Sequence, residues 1–289
     1  MAARVLPTAR AAKTLDMQTP PLASTLATLL LVPALAWACT GRGANSPGGA
    51  SAEKQSDAEY DLGREALHAG RPREALDHAR KAVHFNEEND KALYLAAMVH
   101  LVFCDQDASP DCSLEEAEKY LRRAVKVNDG FRDAKNALGT VLIRQNKPRD
   151  AIAVLEPLTK DPAFASGHLA WGNLGLAQLK AGEVDRAIVS LKNSVTEPRF
   201  CVGHYRLGLA YEEKKDLPSA EKSLSDALAV QSPDCQALQD AWQRRGTVRL
   251  KMGKTEGARE DLEKCVVLSS KTEAGKLCEK TLHDLGGKT

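Results

Sequence analysis

The chain has 289 residues, with 40 Lys+Arg against 39 Asp+Glu and a formal net charge of +1. Hydrophobic residues make up 43%, charged residues 27% and aromatics only 4%. The balanced charge argues against a nucleic-acid binder, the charged fraction against a polytopic membrane protein, and the apolar content against wholesale disorder. Ala and Leu dominate while aromatic and β-branched residues are sparse, which favours helix over sandwich or barrel.

Residues 1–38 read as an export signal. Arg4, Arg10 and Lys13 form a positive first region, and an apolar stretch from Leu22 to Trp37 follows. Ala36-Trp37-Ala38 then offers small residues around a cleavage point, directly before Cys39. The apolar stretch is shorter than the roughly 20 residues of a spanning helix, and Pro33 interrupts it. Leu35-Ala36-Trp37-Ala38-Cys39 also resembles a bacterial lipobox, although Ala36 and Trp37 stand where Leu and a small residue are usual. Cysteine parity supports lipidation: of the 7 cysteines, removing Cys39 leaves an even number that can pair fully. Residues 39–55, rich in Gly, Ser, Asn and Pro, are expected to be a flexible tether behind that cysteine. Loss of residues 1–38 changes the net charge to −1, so a lipid, rather than charge, would hold the chain to a membrane.

From residue 56 onward the chain repeats itself. Leu-Gly, or a variant of it, precedes Ala by about twelve residues, with a large apolar residue four further on. Leu62-Gly63 leads to Ala75 and Ala79, Leu138-Gly139 to Ala151 and Leu155, and Leu174-Gly175 to Ala187 and Leu191. Leu207-Gly208 leads to Ala220 and Leu224, Arg245-Gly246 to Ala258 and Leu262, and a weaker copy runs from Ala96-Ala97 to Ala117 and Leu121. The equivalent small residues are 34, 42, 36, 33 and 38 apart. Gly and Ala at these places let helices cross closely. Pro72, Pro148 and Pro218 fit the first turn of each second helix, where a missing N–H costs nothing.

The pattern resembles the tetratricopeptide repeat. Trp171 and Trp242 fall on its aromatic position in the first helix and Tyr211 on its later Tyr position; Pro162, Pro198 and Pro233 lie near its closing proline. The resemblance implies an all-α solenoid of six repeats, at 56–89, 90–131, 132–165, 168–201, 201–234 and 239–272. Residues 273–289 would cap it, with a helix from Glu273 covering the last apolar face through Leu277, Leu282 and Leu285.

Cysteines mark the departures from the pattern. The second repeat is 8 residues too long, and Cys104 and Cys112 flank the excess. A disulfide there would close the loop, contributing ~2.5 kcal/mol. Cys201 and Cys235 are 34 residues apart, one full repeat, and a bridge between them would contribute ~4 kcal/mol. Cys265 and Cys278 would pin the cap. All three pairings are local, but six cysteines allow fifteen connectivities, and free thiols are the other reading. An exported chain favours disulfides.

Catalytic and metal motifs do not emerge. There is no HExxH, GxSxG, P-loop or CxxC pattern, and the histidines are scattered. No catalytic residue, metal ligand, cofactor, small-molecule substrate or nucleic acid is therefore expected. A helical solenoid offers instead an inner groove lined by first helices. Its expected facing positions include Tyr94, Met98, Asn136, Thr140, Asn173, Leu176, Tyr205, Arg206 and Leu209, a mixture suited to an amphipathic or extended peptide.

An exported, lipidated chain of six such repeats resembles the pilotins of type IV pilus systems, the PilF/PilW-type lipoproteins and their myxobacterial Tgl branch. The resemblance is carried by the lipobox-like Cys39 and by Glu156-Pro157-Leu158, Asp161-Pro162-Ala163-Phe164 and Ala170-Trp171-Gly172-Asn173-Leu174-Gly175. The run Arg199-Phe200-Cys201-Val202-Gly203-His204-Tyr205-Arg206-Leu207-Gly208, together with Cys235, looks most like the Tgl branch. It implies a non-enzymatic lipoprotein on the periplasmic face of the outer membrane that binds secretin subunits and promotes their multimerisation for pilus-dependent motility. A general envelope scaffold and a thiol–disulfide enzyme are the alternatives.

Overall fold

A computed structural model describes residues 47–105 and 109–286. Within them the chain is helical throughout: α1 (Pro47–His68), α2 (Pro72–Phe85), α3 (Asp90–Asp105), α4 (Leu114–Val127), α5 (Arg132–Arg144), α6 (Pro148–Thr159), α7 (Gly167–Lys180), α8 (Val184–Ser194), α9 (Cys201–Glu213), α10 (Leu217–Ala229), the short α11 (Pro233–Gln236), α12 (Gln239–Lys251), α13 (Thr255–Leu268) and α14 (Glu273–Gly286). Each of the six pairs α1–α2, α3–α4, α5–α6, α7–α8, α9–α10 and α12–α13 packs as a hairpin, and each second helix packs on the next first helix. This is an α-solenoid of six repeats with α14 against its last pair.

The hairpins close on one packing device. Leu121, Leu155, Leu191, Leu224 and Leu262, at the same position in successive second helices, are fully buried. Four residues before each stands an alanine with no exposed surface: Ala117, Ala151, Ala187, Ala220 and Ala258. In the last four pairs the leucine lies over a glycine of the first helix. A Cβ on Gly139 or Gly175 would come within 2.5 Å of the facing leucine. The glycine gives up helix propensity, about 1 kcal/mol, so that the helices approach and a leucine is buried, which contributes about 1.5–3 kcal/mol.

Five of the six hairpin turns are also alike. Gly70, Asn146, Gly182, Lys215 and Gly253 each have φ between 60° and 79°. The next N–H in each case donates back to the carbonyl five residues earlier, for example Glu183 to Gln178 at 2.9 Å and Asp216 to Tyr211 at 2.9 Å. This Schellman closure satisfies carbonyls left over at the end of the first helix. Pro72 and Pro148 open α2 and α6, and Pro218 lies in the first turn of α10. The exception is α3–α4, where the extra residues sit and the Cys104–Cys112 bridge closes the gap (Cα–Cα 4.4 Å).

Two expectations need correction. The tether expected over 39–55 is helical from Pro47 onward. Once α1 is fixed by its packing, each further residue adds a hydrogen bond at little entropic cost. The buried Ser56 provides an anchor, donating from Oγ to the Ala82 carbonyl (2.8 Å) and accepting from Asn89 Nδ2 (2.9 Å). The export signal, Cys39 and residues 40–46 lie outside the described residues. In the cap, Leu282 and Leu285 pack against the last core cluster, but Leu277 is 49% exposed. Gly275 and Cys278 take the inward face of α14 instead.

Candidate partner-binding surface

The first helices touch across repeats, α1 with α3, α5 with α7, α7 with α9, and α12 with α14, while the second helices make no comparable contact with one another. A stack held together along one side curves towards that side, so the first helices line the inner wall. Among the described residues, no helix is long and apolar enough to cross a membrane, and no group of three or more His, Cys, Asp or Glu side chains could hold a metal ion.

Four of the nine expected groove residues form one polar ladder across three helices. Asn173 on α7 donates from Nδ2 to Asn136 Oδ1 (2.9 Å) and Thr140 Oγ1 (3.1 Å) on α5. Its Oδ1 accepts from an Arg206 guanidinium nitrogen on α9 at 2.9 Å. Asn173 is buried, so this bonding offsets the cost of placing an amide out of water. Burial pulls the Arg206 pKa down to about 10, which still leaves it charged at neutral pH.

The other five are drawn more into the packing. Tyr94 stacks at a tilt on Phe131 (5.0 Å between ring centroids), and burial, with help from Asp133 and Tyr60, pushes its hydroxyl up to about 12. Met98 and Leu176 pack against the same core as Tyr94. Tyr205 contacts three neighbouring clusters, and burial, then Asp240, pushes its hydroxyl up to about 12. Leu209 is half-buried. The surface is thus polar over α5, α7 and α9, with Tyr94 embedded on α3 and Tyr205 beside Arg206 on α9.

The remaining bridges join Cys201 at the start of α9 to Cys235 in α11, with S–S 2.01 Å, and Cys265 on α13 to Cys278 on α14, with S–S 2.07 Å. Repeat six departs from the Leu-Gly pattern with Arg245, and the structure supplies the reason. Arg245 grips Asp261 with two nitrogens at 2.9 and 2.6 Å, and Arg249 adds a third contact at 3.0 Å. Asp261 is 1% exposed, so the arginines compensate a buried carboxylate. The sequence signal was the charged residue at a leucine position.

Most histidines are incidental. His78 meets Glu59 at 2.6 Å and His168 packs edge-on to Phe200. His100 differs: it is buried beside Tyr120 and Phe103, and neither ring nitrogen has a hydrogen-bond partner among the described residues. Burial pushes its pKa down. The Asp111 main chain works against burial by favouring the charged form, but does not reach hydrogen-bond geometry.

Residues 136–193 and 239–272 match the tetratricopeptide-repeat family. The chain is 24% identical over 149 residues to the Drosophila melanogaster protein O-mannosyl-transferase Tmtc3, covering 51% of this chain but 15% of that protein. It therefore spans a small part of that curated relative. Among solved structures, PilW, described as a widely conserved type IV pilus biogenesis factor, superposes with a TM-score of 0.66 at 18% identity, over 76% of this chain and 96% of PilW. PilF of Pseudomonas aeruginosa superposes with a TM-score of 0.62 at 15% identity, over 80% of this chain and 99% of PilF. The body is an α-solenoid with tetratricopeptide repeats at 136–193 and 239–272, and its likeness to both is one of fold.

Proposed function

We propose that the chain is a non-enzymatic pilotin: an exported lipoprotein, anchored through Cys39 to the periplasmic face of the outer membrane. There it binds secretin subunits and promotes their assembly into the ring of a type IV pilus system. The observation that carries this reading is the end-to-end likeness of fold to PilW, which this chain covers over 96% of its length. The polar ladder on the inner wall is suited to an extended peptide, whose main chain offers matching donors and acceptors. Mechanistically, a lipid confines the solenoid to the membrane surface and raises the local concentration of bound protomers where the ring forms.

Cells lacking the protein should contain secretin monomers but no heat-resistant multimers. Normal multimers in such cells would overturn the proposal. The second reading is a general tetratricopeptide-repeat scaffold in cell-envelope assembly, supported by the family match of residues 136–193 and 239–272, which points to no particular partner. Affinity capture that returns cell-wall enzymes and no secretin would select it.

A further inference from the structure

A guanidinium carries five N–H donors. Arg206 uses one, towards the neutral amide of Asn173, and no carboxylate pairs with it among the described residues. Its neighbours in the solenoid are treated differently. Arg245 and Arg249 share Asp261, Arg249 also holds Glu221 at 2.9 Å, and Arg132 holds Asp161 at 2.7 Å. Arg206 alone of these stands half-buried with a neutral partner, in the middle of the inner wall. Gly172 and Asn173 lie against its guanidinium, Tyr205 precedes it, and none of these is acidic.

Desolvating a permanent cation without a counter-charge is costly, and a partner carboxylate entering the groove would relieve that cost. Asn173 fixes the guanidinium in place, since its amide is itself held by Asn136 and Thr140. A fork held in advance loses less side-chain entropy when it accepts a bidentate carboxylate. Along an extended ligand, Asn136 still has amide donors to offer the main chain beside that contact.

We propose that Arg206 is the anchor of a carboxylate-binding subsite on the inner wall, and that its ligand is an Asp or Glu side chain within an extended segment of the partner protein. The subsite deepens the docking reading above and rests on it. Yet it is tested without any secretin, so the two can fail separately.

The test titrates the exported form of the chain, from Cys39 onward, with a blocked Gly-Ser nonapeptide carrying a central Leu-Glu-Val. The Arg206 Nε–H and Asn173 side-chain amide signals are followed by NMR. A saturable shift is expected, with the matching Gln peptide binding about tenfold more weakly. R206Q should remove the preference while keeping the thermal midpoint at or above that of the parent, and R206K should keep part of it. Equal affinity for the two peptides, or no shift at Arg206 with either, would overturn the proposal. Tighter binding of the Gln peptide with a free C-terminus would overturn the side-chain source and assign the subsite to a chain end. Peptide discrimination by the purified chain, together with normal secretin multimers in cells that lack it, would remove the pilotin reading and leave the subsite standing.

Discussion

Gly175 and Leu191 are in register across the α7–α8 hairpin: a Cβ built on the glycine would fall 2.5 Å from the leucine Cγ and 3.2 Å from the Ala187 carbonyl. The same pair recurs as Gly246 and Leu262, but there the nearest approach is 3.0 Å. Alanine gains about 1 kcal/mol of helix propensity at either place and meets an overpacking cost of ~1–3 kcal/mol. Gly175→Ala should therefore destabilise by ~1–2 kcal/mol, whereas Gly246→Ala should be close to neutral. Urea unfolding of the two variants checks the order; equal effects would show that the helices part freely.

Lys215 holds φ at 63° in the turn where Gly182 and Gly253 serve elsewhere. An L-residue in that region carries a steric cost of about 1 kcal/mol, partly balanced by the greater chain entropy of glycine when unfolded. Lys215→Gly should stabilise by ~0.5 kcal/mol. The exposed side chain contributes little else, so a fall in the melting temperature would contradict the steric account.

The three bridges enclose loops of different length, with sequence separations of 8, 34 and 13. The chain-entropy model ranks their contributions at ~2.5, ~4 and ~3 kcal/mol. Paired Cys→Ser variants at 201 and 235 should therefore lower the melting temperature most, and those at 104 and 112 least. Calorimetry of the three double variants gives the order directly.

Carboxylates held low, Glu118 and Glu221 among them, and the histidines His100 and His204, which burial pushes down, shape the acid limb of stability. Burial pushes Glu118 up, but hydrogen bonds from Lys147 and Arg122 outweigh it and hold its carboxyl below the usual range. A carboxylate depressed in the fold contributes stability above its unfolded pKa and loses it as pH falls through the folded value, so this contribution fades below about pH 4.5. His100, pushed down by burial, acts earlier. Its unfolded form takes up a proton near pH 6.5 while the folded ring stays neutral, so stability declines as pH drops below that point. His100→Leu, of similar volume and without unpartnered nitrogens, should raise stability by ~1 kcal/mol and reduce the slope of the profile below about pH 6.5, leaving the part due to His204. Melting temperature against pH for both proteins reads the difference.

The stack was legible in the sequence because its determinants are local and repeat. Small residues at a fixed register, prolines at helix starts and the Leu-Gly pairs each report one crossing. What escaped depends on several elements at once. The ladder from Asn136 through Asn173 to Arg206 is set by the rotation between successive repeats, and the glycine spacing does not encode that rotation. The burial of Asp261 by Arg245 and Arg249 needs two helices to bring their partners together, although the arginine at a leucine position pointed to it. The backward extension of α1 to Pro47 was hidden by Gly48 and Gly49, which read as linker composition. Leu277 matched the apolar spacing of α14, but Gly275 and Cys278 fix a different face inward.

Cys201 and Cys235 are bridged, and so are Cys265 and Cys278, whereas between α1 and α8 the described residues show one disulfide, Cys104–Cys112, which lies within the α3–α4 hairpin. A load pulling at the two ends of the molecule would therefore peel the early hairpins away one after another. The α9–α10 hairpin, enclosed by the Cys201–Cys235 bridge, would stay clasped until its sulfurs were reduced. The protein is a spring with one locked coil, at α9–α10, among compliant ones.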